Sequence, residues 1–146
     1  MIRLSLILTI LVTITSNVLA QQADEIIGKY HLPNELNVEI YKDGDTFSGK
    51  IIALNNYKDG KVTTDVNNPD KSKRDDPLID MVIIHDLEYD KDENQWTNGK
   101  MYGPEKGMIF NLKITEFGEN YIEVVGSKYF FWRTMKWEKI KETEMY

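Results

Sequence analysis

Apolar and polar side chains alternate along most of the chain after residue 20, which is the pattern of β-strands with one buried face. The clearest case is a pair of runs, LNVEIYK and DTFSGKIIAL, that meet at Asp43-Gly44. Asp-Gly between alternating runs favours a tight hairpin, and a two-residue turn there would place Lys42 opposite Asp45. One face of this hairpin then carries Leu36, Val38, Ile40, Phe47, Gly49 and Ile51.

A second hairpin is predicted around the sequence GPEKG, between strands at Gln95–Tyr102 and Met108–Glu116. Two registers fit the pattern. Pairing Met101 with Met108 would place Gly99 opposite Phe110 and Thr97 opposite Leu112. Pairing Tyr102 with Met108 would place Lys100 opposite Phe110, which is less favourable. The first register is therefore favoured.

The most apolar run after residue 20 is LIDMVIIHDL, which follows Pro77 and spans Leu78–Leu87. Its content of Ile, Val and Met predicts a long, well-buried strand. Because apolar residues occupy both faces of this strand, both faces need cover. The long polar loop at Asn55–Asp76 is one possible cover, and a protein partner or a second copy of the chain is the other.

Shorter signals predict a first strand at Asp24–Leu32, a turn at Phe117-Gly118-Glu119 and a last strand at Phe130–Ile140. No segment has a convincing helical pattern. Together these features predict an all-β fold, an antiparallel up-and-down barrel of about eight strands, with a two-sheet sandwich as the alternative. A barrel of this size holds either a filled core or one small ligand. A core filled by Phe47, Met81, Phe110 and Met135 would leave no room for a ligand.

Residues 1–20 have the pattern of a cleaved signal peptide. Arg3 precedes the apolar run LSLILTILVTI, and small residues stand before Gln21 at the expected cleavage positions. An uncleaved membrane anchor is the alternative, but the apolar run is short and interrupted by threonine. We therefore expect residues 21–146 to form a single barrel domain that is exported, either periplasmic or secreted.

Composition narrows the possible partners. Residues 21–146 hold 17 Lys and Arg against 24 Asp and Glu, a net charge of −7. This balance argues against binding to nucleic acid or to an anionic membrane surface. The absence of cysteine excludes disulfides, thiolate nucleophiles and cysteine-ligated zinc. No later stretch is apolar enough to form a membrane-spanning helix.

No catalytic constellation is visible, so we expect neither catalysis nor a cofactor. The chain has two histidines, His31 and His85, and nothing in their spacing points to a serine–histidine pair. The segment Asp90–Asn94 starts like a calcium loop but lacks the required later glycine and glutamate, which favours a turn and no metal site. A weak hydrolase that uses the loop carboxylates Asp70 and Asp76 remains an alternative.

Five sequence motifs occur in a characteristic order. They are G-K-Y at 28–30, V-E-I-Y-K-D-G-D-x-F-x-G-K-I at 38–51, N-P-D…R…P-L at 68–78, W-x-x-G-K-M-Y-x-P-x-x-G at 96–107 and R-T-M-K-W at 133–137. In this order they resemble the exported bacterial family known as domain of unknown function 2147. The chain differs from the family pattern at Asp80, where glycine is expected, and at Gly103, where aspartate is expected.

The resemblance implies a small barrel similar to lipocalins and streptavidin, without an established activity. In such barrels an aromatic residue on the first strand often meets a basic residue on the last strand. By this resemblance Tyr30 and Arg133 are expected to close the barrel, with the guanidinium group stacked on the aromatic ring.

Ligand contacts are expected from the long loop and from aromatic residues near the strand ends. Arg74 could present its guanidinium group to an anionic ligand at the barrel mouth, or it could tie the loop down together with Asp70. The candidate ligand-binding residues are Asn68, Asp70, Arg74, Trp96, Tyr102 and Trp132.

The leading functional hypothesis is a non-enzymatic barrel that binds a small, partly apolar ligand or an envelope component. The alternative is an interaction module that docks a partner, or a second copy, through apolar strand faces at Leu78–Ile84 and Phe130–Trp132. Three consecutive large rings at Phe130–Trp132 support this alternative, because at least one ring must point away from the interior of a regular strand.

Overall fold

The computed structural model describes residues 20–144. Eight antiparallel strands form a closed barrel in which each strand pairs with the next and the last pairs with the first. The strands are β1 (Gly28–His31), β2 (Asn37–Asp43), β3 (Thr46–Ala53), β4 (Val82–Asp90), β5 (Gln95–Gly103), β6 (Met108–Phe117), β7 (Tyr121–Lys128) and β8 (Phe131–Lys139). The predicted all-β up-and-down barrel is therefore confirmed, and the sandwich alternative is wrong.

Short helical segments complete the described chain. Residues 20–23 are helical, and 3₁₀ turns lie at Asp24–Ile26, Tyr57–Gly60, Lys71–Lys73 and Glu142–Glu144. Within residues 20–144 no helix has the length and apolar character needed to cross a bilayer. The predicted signal peptide lies, up to residue 19, outside the described residues.

Because successive strands alternate in direction, the connections fall at two ends of the barrel. One end, called the open end, carries the β1–β2, β3–β4, β5–β6 and β7–β8 connections. The other end, called the closed end, carries the three remaining hairpin turns and the segment that precedes β1. The long loop between β3 and β4 therefore belongs to the open end.

The segment before β1 seals the closed end. Ile26 is fully buried, and its carbonyl oxygen accepts a hydrogen bond of 2.8 Å from the Tyr30 hydroxyl. The indole Nε1 of Trp96 donates to the carbonyl oxygen of Ala23 at 2.9 Å. The polar atoms of these two buried aromatic side chains thus form hydrogen bonds with the backbone of residues 23–26, called here the sealing segment. These bonds hold the sealing segment across the closed end of the barrel.

The interior of the barrel is apolar, as the alternation predicts. Every strand contributes fully or almost fully buried side chains to one continuous core. The face predicted for the first hairpin is confirmed, because Val38, Ile40, Phe47 and Ile51 are at most 2% exposed. Burial of this face supplies the main driving force for closing the sheet.

The register predicted for the first hairpin is wrong by two residues. Lys42 pairs with Phe47 rather than with Asp45, and the two turn residues are Gly44 and Asp45. Gly44 has a φ of 64°, and glycine at the first turn position is the requirement of a type II′ turn. The sequence prediction places the turn one residue earlier, at Asp43-Gly44.

The register predicted for the β5–β6 hairpin is also wrong by two residues. Met101 pairs with Phe110 rather than with Met108, and Gly103 pairs with Met108. The backbone N–H groups of Lys106 and Gly107 both donate to the carbonyl oxygen of Gly103, which tightens the connection to four residues. A shift of two residues leaves each side chain on its original face, so the predicted inner face of the first hairpin survives. On β5 an irregularity between Trp96 and Gly99 buries Trp96 in place of Thr97.

The strand predicted at Leu78–Leu87 starts four residues later, at Val82. Leu78 is fully buried, but it lies in the long loop, where its N–H donates to the carbonyl oxygen of Thr63. Asp80 then adopts a φ of 65°, a left-handed conformation that interrupts an extended chain. Glycine, which the family resemblance leads us to expect at this position, would adopt this backbone conformation without strain.

The expected contact between Tyr30 and Arg133 is not formed. Tyr30 lies opposite Lys139 on β8, whereas Arg133 lies opposite Gly126 on β7. Six residues of extended chain separate Arg133 from Lys139, about 20 Å along the strand. The barrel is closed instead by backbone pairing of β1 with the end of β8 and by the hydrogen bond of Tyr30 to the sealing segment.

Candidate functional site

A cavity of about 640 Å³ opens at the open end of the barrel. Its floor and walls are formed by side chains from three strands: Met101 on β5, Phe110 on β6, and Met135 and Trp137 on β8. A volume of this size lies within the usual range for pockets that hold small ligands. The barrel is therefore filled at its closed end and hollow at its open end.

Two glycines keep the cavity open. A Cβ atom at Gly126 or at Gly103 would lie 3.2 Å from the ring of Phe110, which stands on the strand between them. The ring thus packs close to the backbone of both neighbouring strands. Because the two glycines have no side chains, the aromatic ring can lie along the wall and leave space in the centre.

The rim of the cavity carries more positive than negative charge. Three cations, Lys106, Lys128 and Arg133, and one carboxylate, Glu105, line it. Arg133 lies on the same face of β8 as Met135 and opposite a glycine, so its guanidinium group stands above the apolar floor. This arrangement suits a molecule with an apolar body and an anionic group at one end.

The two buried tryptophans of the interior differ in one respect. Trp96 at the closed end donates its Nε1–H to the carbonyl oxygen of Ala23. Trp137 lines the cavity and is 1% exposed, and its Nε1 atom has no hydrogen-bond partner among residues 20–144. An unpaired buried donor is costly, so an acceptor group of a ligand or a water molecule near this atom would be favourable.

This difference predicts unequal effects of the same substitution. Trp96→Phe leaves the Ala23 carbonyl oxygen without its donor, whereas Trp137→Phe removes a donor that is already unpaired. Both variants lose the same volume, so they control for each other. We expect Trp96→Phe to lower the free energy of unfolding by about 1 kcal/mol more than Trp137→Phe, measured by urea denaturation. Equal losses would contradict the assignment of the two indole groups.

Of the six candidate ligand-binding residues, Trp132 alone lines the cavity. Trp96 lies at the opposite, closed end. Tyr102 faces the long loop, and Asn68, Asp70 and Arg74 make contacts inside that loop. The structure therefore brings together a different set of residues from the set predicted.

The long loop is fixed to the barrel by a buried carboxylate. Asp65 is 1% exposed and accepts hydrogen bonds of 2.7 Å from the Tyr102 hydroxyl and from the side-chain amide of Asn68. Burial, followed by the hydrogen bond to Asp65, raises the pKa of Tyr102. Burial, with the nearby carboxylates of Glu105 and Asp65, raises the pKa of Tyr57 to about 12. Tyr102 therefore stays protonated and remains a donor at neutral pH.

A second contact joins the same loop to the β5–β6 turn at the rim. The side-chain amide of Asn67 donates to the carbonyl oxygens of Pro104 and Glu105 at 3.1 and 3.2 Å. A Cβ atom at Gly107 would lie 2.0 Å from the carbonyl oxygen of Asn67, and Gly107 has a φ of 61°. Only glycine fits this position, and the loop thereby holds the rim in place.

Asp70 and Arg74, which were predicted to bind a ligand or to tie down the long loop, form hydrogen bonds within that loop. The Nε atom of Arg74 donates to the carbonyl oxygen of Asn68 at 2.9 Å. One oxygen of Asp70 accepts hydrogen bonds from the hydroxyl and the backbone N–H of Ser72, and these bonds lower the pKa of Asp70. Both residues thus stabilise the loop, and neither lines the cavity.

Several groups with catalytic or metal-binding potential form hydrogen bonds outside the cavity. His31 Nδ1 lies 2.7 Å from the side-chain oxygen of Asn37, and the Ser48 hydroxyl donates to Asp43. The oxygen of Asp90 accepts backbone N–H groups of its own turn, the one that resembled a calcium loop. In the part of the chain that the structure describes, no three His, Asp or Glu side chains converge on a metal position.

The ligand contacts predicted from the sequence omit the floor residues Met101 and Trp137 and the rim residues Glu105, Lys106 and Lys128. Met101 and Phe110 lie close to the open end, whereas Met135 and Trp137 lie deeper along β8. The sequence presents Phe110 and Met135 only as filling residues, and the available signal was the alternation itself, which places these side chains on the inner face. Alternation does not indicate how much of the barrel interior each side chain fills.

Comparison with known proteins agrees with this architecture. A family model described as "Uncharacterized protein conserved in bacteria (DUF2147)" matches residues 28–139. The structure described as "Protein HP1028 from the human pathogen Helicobacter pylori belongs to the lipocalin family" is similar, with a TM-score of 0.72 and 18% identity over 82% of this chain and 86% of that chain. At this identity the similarity shows the fold alone. A search of curated proteins found no match. The chain belongs to the bacterial family DUF2147, and its barrel is lipocalin-like.

Proposed function

We propose that this protein binds a single-chain amphiphile, a molecule with an apolar chain and an anionic head group. The observation that carries the proposal is the cavity at the open end, with an apolar floor below a rim of three cations and one carboxylate. The apolar chain would lie against Met101, Phe110 and Met135. Methionine side chains adapt to different chain shapes, which suits a ligand without a fixed outline.

Arg133 is the residue best placed to recognise the head group. It shares a face of β8 with the cavity floor, and the facing residue Gly126 leaves space beside it. A guanidinium group offers two parallel N–H donors to a carboxylate or phosphate.

The same proposal places the protein outside the cytoplasm, as a carrier or buffer of its ligand in the cell envelope. The sequence pattern of residues 1–20 supports this location. The lipocalin-like fold and the lack of an assembled serine–histidine or metal constellation in residues 20–144 support binding rather than catalysis as the activity.

Displacement of a fluorescent anion tests the proposal. 1-Anilinonaphthalene-8-sulfonate, an apolar ring system with one sulfonate, should bind with enhanced emission, and dodecanoate should displace it. Because the head group contacts rim cations, dodecanoate should compete about tenfold better than the uncharged 1-dodecanol, equivalent to about 1.4 kcal/mol. Arg133→Gln should remove most of this preference, whereas Lys113→Gln, on the outer face of β6, should retain it. Absence of binding, or equal competition by the acid and the alcohol, would refute the proposal.

A further inference from the structure

The β7–β8 turn at the open end carries four consecutive exposed aromatic residues, named here the aromatic tip. Tyr129, Phe130, Phe131 and Trp132 are 88%, 90%, 80% and 76% exposed. Large aromatic side chains dominate the energetics of cores and interfaces, and a contiguous exposed set of them marks an interaction site. The cavity explains part of this feature at most, since these rings are mainly in contact with solvent.

The rings are exposed on both faces of the hairpin. Phe131 and Trp132 are neighbours on β8 and therefore point to opposite sides of the sheet, yet both are at least 76% exposed. A flat protein partner would cover one side of such a hairpin and leave the other side in water. A medium that surrounds the tip would cover all four rings.

The local backbone gives a second observation. Tyr129 is the first of two turn residues and has a φ of 55°. Two-residue hairpin turns favour glycine, asparagine or aspartate in this conformation, and a bulky residue is strained there. The turn thus keeps an aromatic side chain at a position where glycine would be more stable, which points to a function for the ring itself.

Charge at the tip complements an anionic surface. Lys128 and Arg133 flank the four aromatic residues directly, and Lys106 lies on the same rim. The first carboxylate back from the tip on this hairpin is Glu123, which lies opposite Lys136. The overall charge of −7 for residues 21–146 argues against membrane binding, and Glu105 lies on the same rim, but Lys128 and Arg133 adjoin the four rings directly. Aromatic rings between cations are typical of segments that lie at a lipid–water interface.

We propose that the aromatic tip inserts into the interface of a phospholipid bilayer that contains anionic lipids. The rings enter the boundary between head groups and acyl chains, and Lys128 and Arg133 contact lipid phosphates. The tip is part of the cavity rim, so insertion turns the open end of the barrel towards the membrane. The inference stands on the tip alone and holds whether or not the cavity takes an amphiphile.

A second copy of the chain is the competing occupant. A stable interface buries about 800 Å² on each partner, usually on a broad complementary surface. A narrow hairpin end with rings on both faces offers no such surface by itself. Charge also disfavours self-association through this site, because two tips would bring Lys128 and Arg133 of one copy towards the same cations of the other.

Vesicle flotation of the protein comprising residues 21–146 tests the inference, using phosphatidylcholine vesicles with and without 30% phosphatidylglycerol. Wild-type protein should float with the anionic vesicles, and its tryptophan emission should shift to shorter wavelength. Trp132 is the exposed indole, since Trp96 and Trp137 are buried, so Trp132→Phe should remove the shift. Phe130→Ser with Phe131→Ser should weaken binding at least tenfold. Ile27→Ser, an equally polar change at an exposed apolar residue of the closed end, should leave binding unchanged.

Tyr129→Gly separates binding from folding. Glycine relieves the positive φ, so this variant should melt at a higher temperature than wild type and still bind vesicles more weakly. Wild-type protein that floats with neither vesicle type, or serine variants that bind like wild type, would overturn the inference. A wild-type dimer in solution that the serine variants convert to a monomer would also overturn it and assign the tip to self-association.

Discussion

Replacing Gly126 with leucine is expected to abolish measurable binding of 1-anilinonaphthalene-8-sulfonate and to leave the barrel folded. The added side chain would occupy the space beside Phe110, Met135 and Arg133, because a Cβ atom alone already lies 3.2 Å from Phe110 and 3.9 Å from Met135. Loss of both the apolar space and access to Arg133 should weaken binding by about 100-fold or more, equivalent to roughly 2.8 kcal/mol.

The cost in stability should be small by comparison. Gly126 does not have a positive φ, so leucine is compatible with its backbone, and the cavity is open to solvent on one side. We expect a change of about 1–2 kcal/mol in the free energy of unfolding, which comes from displacement of the Phe110 ring. Isothermal titration of the probe and urea denaturation measure the two effects separately.

Val125→Leu is the matched control, because Val125 is the neighbouring residue and faces the opposite side of β7. This variant should bind the probe like wild type. If Gly126→Leu retained wild-type affinity, the probe would have to bind outside the cavity, and the ligand site proposed here would be wrong.

Replacing Asp65 with alanine is expected to produce the largest loss of stability of any substitution considered, about 3 kcal/mol. The carboxylate is 1% exposed, and its removal leaves the Tyr102 hydroxyl and the Asn68 amide without their acceptor. The loop that carries Asp65 also holds the β5–β6 turn through Asn67, so the rim should loosen in the same variant. Limited proteolysis should then cut within residues 54–81 faster than in wild type.

Asp70→Ala provides the comparison. Asp70 is an aspartate of the same loop that also accepts two hydrogen bonds, but it is exposed and its partners can bond to water instead. We expect a loss of about 0.5–1 kcal/mol for this variant. Similar losses for the two variants in urea denaturation would show that Asp65 does not anchor the loop.

The inner and outer faces of the barrel were predictable wherever the strands are regular, because a side chain's face then depends only on parity along the strand. The rule fails at irregularities: Ile83 and Ile84 are both buried on β4, and Trp96 rather than Thr97 is buried on β5. Register was not predictable to the same degree. Asp43-Gly44 and Gly44-Asp45 are both acceptable turn pairs, and the choice between them depends on backbone angles that composition does not specify. The start of β4 was wrong for a related reason, since Leu78 would be buried either in a strand or beneath a folded loop.

The cavity was harder to predict than the fold because it is the volume that side chains leave unfilled. Trp96 and Trp137 look alike in the sequence, yet one pairs with the sealing segment and the other stands at the cavity floor. Tyr102 and Arg74 were selected as polar or aromatic residues near the mouth, but both are committed to the long loop. The partners of a side chain across the barrel depend on tertiary packing, which alternation does not encode.

The seam between β1 and β8 has a consequence for how the molecule assembles. It joins the first and last strands through the pairs Tyr30–Lys139 and His31–Glu138, whereas every other strand pair consists of strands that are consecutive in the chain. Closing a loop of this length carries a large entropic cost before any contact repays it. We therefore expect the seam to form late in folding, and we expect refolding to be slow compared with that of helical domains of equal size.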